Sequence, residues 1–280
     1  MPRKQVIKHH LSRAFGMLRG LRGAPGALPI LLYHSVNAKY DPVINPITPE
    51  LFEAHLRYLK AHHRVLPLRT VVEALENGRT LPANAVSITF DDGYADNYDV
   101  VFPLLKKYRI PATIFVVSGF VDGTDPLNES SGWKPLSWAQ IREMMDSGLV
   151  EIGGHTHSHP VLSELDDYDA WNEVSRCKQV LESRLQSEVA YFAYPYGQGF
   201  QIHPASVAAA QALGFKAAFS TFWRSSHSPF RPFLINRVLT TNTDSVDTLR
   251  RKLRGDYDYI YYLRKWRAAM FRLRRGRGVV

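Results

Sequence analysis

An α/β fold built on a parallel sheet, open or closed into a barrel, is what this sequence predicts. Short apolar runs recur along the chain, and segments with helical spacing separate most of them. That alternation is the signature of strands joined by crossover helices. The 280 residues suffice for one large core, and 45% hydrophobic against 22% charged residues is ordinary for a globular protein.

The apolar run Ile30–Val36 predicts the first strand, and Leu51, Leu56 and Leu59 then share one face of a helix. The run Ala85–Phe90 is the next strand, and Val100, Leu104 and Leu105 mark the helix after it. Ala112–Val117 follows, then a loop over Asp122–Pro135 rich in Gly, Pro, Asn and Ser. Ile141, Met144 and Met145 predict a helix before the run Val150–Ile152, and a longer helix runs from about Tyr168 to Leu185. Val189–Tyr194, a helix from Val207 to Leu213, and the runs Lys216–Ser220 and Phe233–Leu239 complete the alternation.

A single cysteine, Cys177, excludes an internal disulfide and any thiolate metal cluster. No stretch approaches the roughly 20 apolar residues that span a bilayer. The first 25 residues hold scattered basic groups without a continuous apolar stretch, so no secretory signal is read and a cytoplasmic location is expected. Charge is uneven. Residues 1–26 carry +6 and residues 250–277 carry +9, which leaves −6 for the rest of a chain whose total is +9. An acidic body argues against a nucleic-acid partner.

Both ends are amphipathic. Ile7, Leu11, Ala14, Phe15, Leu18 and Leu21 follow helical spacing, and Tyr259, Leu263, Trp266, Met270 and Leu273 do the same amid arginines and lysines. Basic helices of this kind lie on anionic membrane surfaces, which gives a peripheral place at the inner face of the cytoplasmic membrane. Packing on the body with solvated charges is the other reading.

The polar residues that stand out lie where apolar runs end, the place where α/β barrels collect their chemistry. Ala85–Phe90 runs into Asp91-Asp92-Gly93, and the run beginning at Val150 leads to His155-Thr156-His157-Ser158-His159. Val189–Tyr194 leads to Pro195-Tyr196-Gly197, and His34 sits near the end of the first run. Adjacent acids point in different directions and take different roles. Histidines four apart aim at one point, and two imidazoles with one carboxylate form a familiar hydrolytic metal site. Taken singly, Asp-Asp-Gly also fits a surface turn or helix N-cap, and the histidine run also fits a polar loop. His157 is expected to face away.

Thr89-Phe90-Asp91-Asp92-Gly93 followed by Gly154-His155-Thr156-His157-Ser158-His159-Pro160 resembles the first two motifs of the polysaccharide deacetylase family. That family is also called the NodB homology domain, or carbohydrate esterase family four. Phe192-Ala193-Tyr194-Pro195-Tyr196-Gly197 resembles its third motif, in the form found in the poly-N-acetylglucosamine deacetylase branch. The resemblance covers roughly residues 28 to 240 and implies a distorted (β/α) barrel with about seven parallel strands. It implies Asp91 as general base, Asp92, His155 and His159 as ligands of a divalent metal, and the Tyr196 backbone N–H as an oxyanion donor. The metal implied is zinc foremost, with nickel, cobalt, iron or manganese as alternatives.

The sequence departs from the family pattern where Ala193 replaces an arginine that pairs with the base. Arg237 is the candidate replacement. The Asp-Trp fourth motif and the late Leu-x-His are missing, and Leu32-Tyr33-His34 implies His34 as general acid instead. The chain then divides into a basic segment 1–26, a catalytic domain 27–245 and a basic helix with tail 246–280. The expected activity is removal of acetyl groups from N-acetylated sugars, as glycan or lipid-linked saccharide. An exported deacetylase or acetyl esterase acting on poly-N-acetylglucosamine or xylan is an alternative, and a non-catalytic glycan-binding or scaffold protein is another. Tyr94, Trp133 and Trp138 are candidates for stacking on a sugar ring, with core or loop packing the commoner role of such aromatics.

Overall fold

The computed structural model describes residues 11–12, 15–16, 28–39, 41, 44, 46–124, 133–225, 230–263 and 266 of the chain. Its apolar runs form strands buried on both faces, as a parallel sheet flanked by helices requires, and a short, more exposed pair of residues adds one more. These are β1 (Ile30–Tyr33), β2 (Arg64–Val65), β3 (Ala85–Phe90), β4 (Ala112–Val116), β5 (Val150–Gly154), β6 (Tyr191–Ala193), β7 (Ala217–Phe219) and β8 (Val238–Leu239). Seven pair in the order β7-β6-β5-β4-β3-β1-β8, every pairing parallel, while β2 adds to the start of β3.

Residues 232–239 draw the two edges of this curled sheet together. Their first half bonds β7, with Ala218 N donating to Pro232 O at 2.8 Å and Ile235 N to Ala218 O at 3.0 Å. Their second half is β8, whose Val238 and Leu239 stand opposite Leu31 and Leu32 of β1. The result is the distorted barrel of about seven strands that the sequence predicts.

The helices are α1 (Pro49–His62), α2 (Leu68–Glu76), α3 (Phe102–Tyr108), α4 (Ser118–Asp122), α5 (Trp138–Asp146), α6 (Asp167–Leu185), α7 (Pro204–Ala212) and α8 (Val246–Leu253). Their starts are written locally. Thr48 caps α1 by accepting from Leu51 N, Ser137 and Gln140 form a reciprocal capping box on α5, and Asp166 caps α6. The buried stripe of α6, Ala170, Val174, Cys177, Leu181 and Leu185, packs on the sheet. Each such Val or Leu side chain contributes about 1.5–3 kcal/mol.

Strand alternation sorts residues into two clusters. Ile114, Val116, Phe192 and Ala218 face the helices. Phe115, Tyr191, Ala193, Ala217 and Phe219 face the enclosed side, where Leu68, Val71 and Val72 of α2 join them.

Three elements escape the sequence reading. The two-residue β2 is too short for a periodic signal, α2 starts at Pro67 without a polar side-chain cap, and the 5-residue α4 has no side-chain cap and little more than one turn. The packed body runs on through α8. Leu249 and Leu253 lie in the core, and Lys252 is buried, donating to Leu239 O at 2.7 Å and pairing with Asp244. Tyr257 and Tyr259 are buried beyond it, and Asp258 accepts from Ser225 N at 2.9 Å and Ser225 Oγ at 2.8 Å.

At the other end Ser12 is buried, and the Phe15 ring lies 6.1 Å from that of Tyr259. The stripe positions Ile7, Ala14, Leu18, Leu21, Met270 and Leu273 lie outside the described residues. Among the described residues no helix is long and apolar enough to cross a membrane.

Gly153 shows how tightly the enclosed side is filled. A Cβ there would sit 2.4 Å from Phe115 Cδ1 and 3.0 Å from Tyr191 O. Gly153→Ala is therefore expected to lower stability by about 1–3 kcal/mol through overpacking. The check is a urea titration, with a lower midpoint at unchanged slope.

Candidate active site

Four loops meet above the carboxyl ends of the strands. They line a cleft of about 460 Å³ that includes His34, Asp91, Asp92, His155, His159 and Tyr196. Asp92, His155 and His159 offer ligand atoms that all lie within 4.8 Å of one another. Asp92 Oδ1 stands 3.3 Å from Nε2 of His155 and 3.3 Å from Nε2 of His159. His155 Nδ1 sits 2.7 Å from Ala193 O, a carbonyl that only accepts, so Nδ1 carries the proton and Nε2 keeps its lone pair for the cleft.

This trio fits a divalent cation on its own chemistry. Asp92 Oδ1 is buried yet makes no hydrogen bond among the described residues. A buried acceptor left unpaired costs about 1–3 kcal/mol, and a cation between it and two imidazole nitrogens removes that deficit. Burial pushes the Asp92 carboxyl up, but the adjacent imidazoles of His155 and His159 outweigh it and hold the group well below the usual carboxylate range. Burial acts downward on His159, and its contact with Asp92 wins, so that imidazole is raised.

Asp91 faces a different partner. Arg237, fully buried, donates Nη1 to Asp91 Oδ1 at 2.6 Å and Nη2 to Oδ2 at 2.7 Å. Its Nε donates to Ser220 O at 3.2 Å, and its guanidinium lies 5.2 Å from the Phe115 ring centre. This bidentate fork comes from the closing segment, 146 residues along the chain from Asp91. Ala193 is packed without exposure in the enclosed cluster.

Backbone strain collects here. Six non-glycine residues have positive φ among the described residues, and four of them are Asp92, Thr156, His159 and Tyr196. Such conformations cost of order 1–3 kcal/mol each and persist where surrounding bonds dictate them. Thr156 Oγ1 supplies some of those bonds, donating to His155 O at 2.6 Å and accepting from His159 N at 3.1 Å. Tyr196 is half exposed, its ring 5.0 Å from that of His159, and its N–H makes no hydrogen bond among the described residues.

Other residues that support the site carry no sequence signal. Glu173, on α6, accepts from His157 N at 2.9 Å, Ser158 N at 2.8 Å and Ser158 Oγ at 2.7 Å, pinning the loop between the two histidine ligand candidates. His157 turns away from the trio, its Nδ1 2.8 Å from Ser118 Oγ. Asp96 accepts from Ser35 Oγ at 2.5 Å and Val36 N at 3.2 Å, and burial pushes its carboxyl up to about 6.

Of the two readings of the three aromatics, packing is the one their contacts show, although Tyr94 also lines the cleft. Tyr94 and Trp133 are buried against each other at 5.7 Å, and Trp138 is half-buried, donating Nε1 to Asp122 Oδ1. Tyr196 and Trp223 are among the aromatic residues that line the cleft, and Tyr196 is half exposed.

The chain belongs to the polysaccharide deacetylase family, whose model matches residues 78–218. It is 29% identical over 218 residues to the poly-beta-1,6-N-acetyl-D-glucosamine N-deacetylase of Staphylococcus epidermidis, covering 75% of this chain and 72% of that one. Over 198 residues it is 28% identical to YxkH of Bacillus subtilis, and the match spans 70% of this chain but only 65% of that relative. The fold matches IcaB from Ammonifex degensii with TM-score 0.69 and 29% identity, over 82% of this chain and 98% of that one. It matches the Streptococcus pyogenes deacetylase PplD, solved with acetate, with TM-score 0.72 and 25% identity, over 82% and 99%.

Removing one member of the buried ion pair should be severe. Arg237→Met strands the Asp91 charge and is expected to lower unfolding stability by about 3–5 kcal/mol. Adding Asp91→Asn should restore much of that loss, and a double-mutant cycle in urea measures the coupling.

Proposed function

We propose that this chain is a divalent-metal-dependent deacetylase that hydrolyses the acetamide of N-acetylglucosamine-type polysaccharides. The observation that carries the reading is the unpaired Asp92 Oδ1 between two imidazole nitrogens, beside a second carboxylate locked by a buried arginine. A divalent ion held by Asp92, His155 and His159, zinc being best suited to this donor set, would polarise the acetyl carbonyl and lower the pKa of its water.

The chain's own residues do the rest. Asp91, both oxygens fixed by Arg237, takes the proton from the attacking water as general base. The Tyr196 N–H, on a backbone already in the left-handed region, donates to the carbonyl oxygen as it gains charge. One good oxyanion donor is worth about 3–4 kcal/mol. His34, which also lines the cleft, gives a proton to the departing amine nitrogen as the C–N bond breaks, releasing acetate and a free amino sugar. The names of the staphylococcal relatives support an N-acetylated glucosamine polymer over an acetyl ester.

Acetate release from a β-1,6-linked N-acetylglucosamine oligomer tests this. A chelator should abolish it and added Zn²⁺ should restore it, while Asp91→Asn should lower kcat by about 10²–10⁴-fold with metal content unchanged. Full activity in Asp91→Asn would sink the base assignment.

We also propose that the two basic ends attach the enzyme to an anionic bilayer surface. The Phe15 ring lies 6.1 Å from that of Tyr259 and 6.2 Å from that of Tyr262, and Leu11, Tyr262, Leu263 and Trp266 are exposed. Phosphatidylglycerol-containing vesicles should sediment the protein at low salt, whereas pure phosphatidylcholine vesicles should not, with each basic residue near the surface worth about 1 kcal/mol.

A further inference from the structure

The segment after the two site aspartates does more than turn the chain into α3. Asp96 stands at the N-cap position of a π-helical turn (Asn97–Val101), yet its carboxylate makes no capping bond. It reaches back instead to the loop after β1, where it accepts from Ser35 Oγ at 2.5 Å and from Val36 N at 3.2 Å. Asn97 completes the grip. Its Nδ2 donates to His34 O at 3.0 Å and to Asp96 Oδ1 at 3.1 Å. Three consecutive residues, His34, Ser35 and Val36, are thus held by two side chains 60 to 63 positions away.

The chemistry of this clamp is unusual for mere packing. Asp96 and Asn97 are both buried, and Asn97 Oδ1 has no hydrogen-bond partner among the described residues. A buried amide that leaves its acceptor unsatisfied is retained for the donor it offers, and that donor goes to the backbone of His34. A bond between Ile47 N and Ser35 O at 3.1 Å fixes the same loop from its other side, so the imidazole of His34 enters the cleft from a backbone with little freedom. A π-helical turn at this point is itself a common mark of a functional site.

We propose that Asp96 and Asn97 are positioning residues for His34, holding its imidazole where the leaving nitrogen will stand. This rests on the reading of His34 as general acid. Neither residue touches substrate. They act through the loop backbone, and the stretch 91–97 carries the base at one end and the acid's clamp at the other.

The test exploits leaving-group chemistry. An amine must be protonated to depart, whereas 4-nitrophenolate leaves without help. In the metal-loaded enzyme, Asp96→Asn and Asn97→Ser should lower kcat on the N-acetylglucosamine oligomer by about 10–100-fold, with KM little changed. Hydrolysis of 4-nitrophenyl acetate and zinc content should stay at wild-type levels. His34→Ala serves as the reference and should show the same selectivity more strongly. Ser35→Ala, which removes one donor to Asp96 and leaves the carboxylate in place, gives a milder variant should the others fold poorly, and it should show the same selective loss. If His34→Ala is selective while the clamp variants slow both substrates alike or neither, the positioning proposal is overturned alone. If His34→Ala treats both substrates alike, the acid reading falls and the clamp's role falls with it.

Discussion

The contact on which the rest depends joins a guanidinium to a carboxylate inside the barrel. Arg237 and Asp91 are both buried, and two short hydrogen bonds make the pair planar and fixed. Desolvating two such charges is expensive, so the pair is no simple source of stability. Its value lies in geometry. One partner directly follows β3 and the other lies on the segment that draws β7 and β1 together, so the seam cannot shift without moving Asp91. Barrel closure and orientation of Asp91 are one event.

Around that contact the site is built from opposed demands. The sheet delivers Asp91, His155 and Tyr196 to one rim, but the loops must then bend sharply to aim them. That bending explains why Asp92, Thr156, His159 and Tyr196 all take left-handed backbone conformations. Thr156, Glu173 and Thr221 hold the bends through hydrogen bonds to the adjacent backbone. Strain of this kind presets ligand directions before any ion arrives, so binding does not have to order the loops.

Much of this was legible in the sequence because the signals are local. Asp91-Asp92-Gly93 and the histidines four apart lie within single loops, and the apolar runs before them match β3 and β5 closely. The replacement of the arginine missing at Ala193 was visible only as a candidate, since nothing in Ile235-Asn236-Arg237-Val238 announces which carboxylate it meets. Glu173 and Asp96 were invisible. An acid on or before a helix reads as a solvated group or cap, and only the fold shows it turned inward. Tyr94 and Trp133 misled in the opposite sense, for exposure cannot be read from an aromatic in a polar segment, and they pack on each other.

The closing segment also sets a temporal order on the ribosome. Six of the seven barrel strands precede residue 220, and with them come both aspartates and both histidines of the trio. The arginine that fixes Asp91 is translated 146 residues after it, together with the strand that seals the barrel. Every side chain of the trio has therefore left the ribosome well before the guanidinium that holds the neighbouring carboxylate.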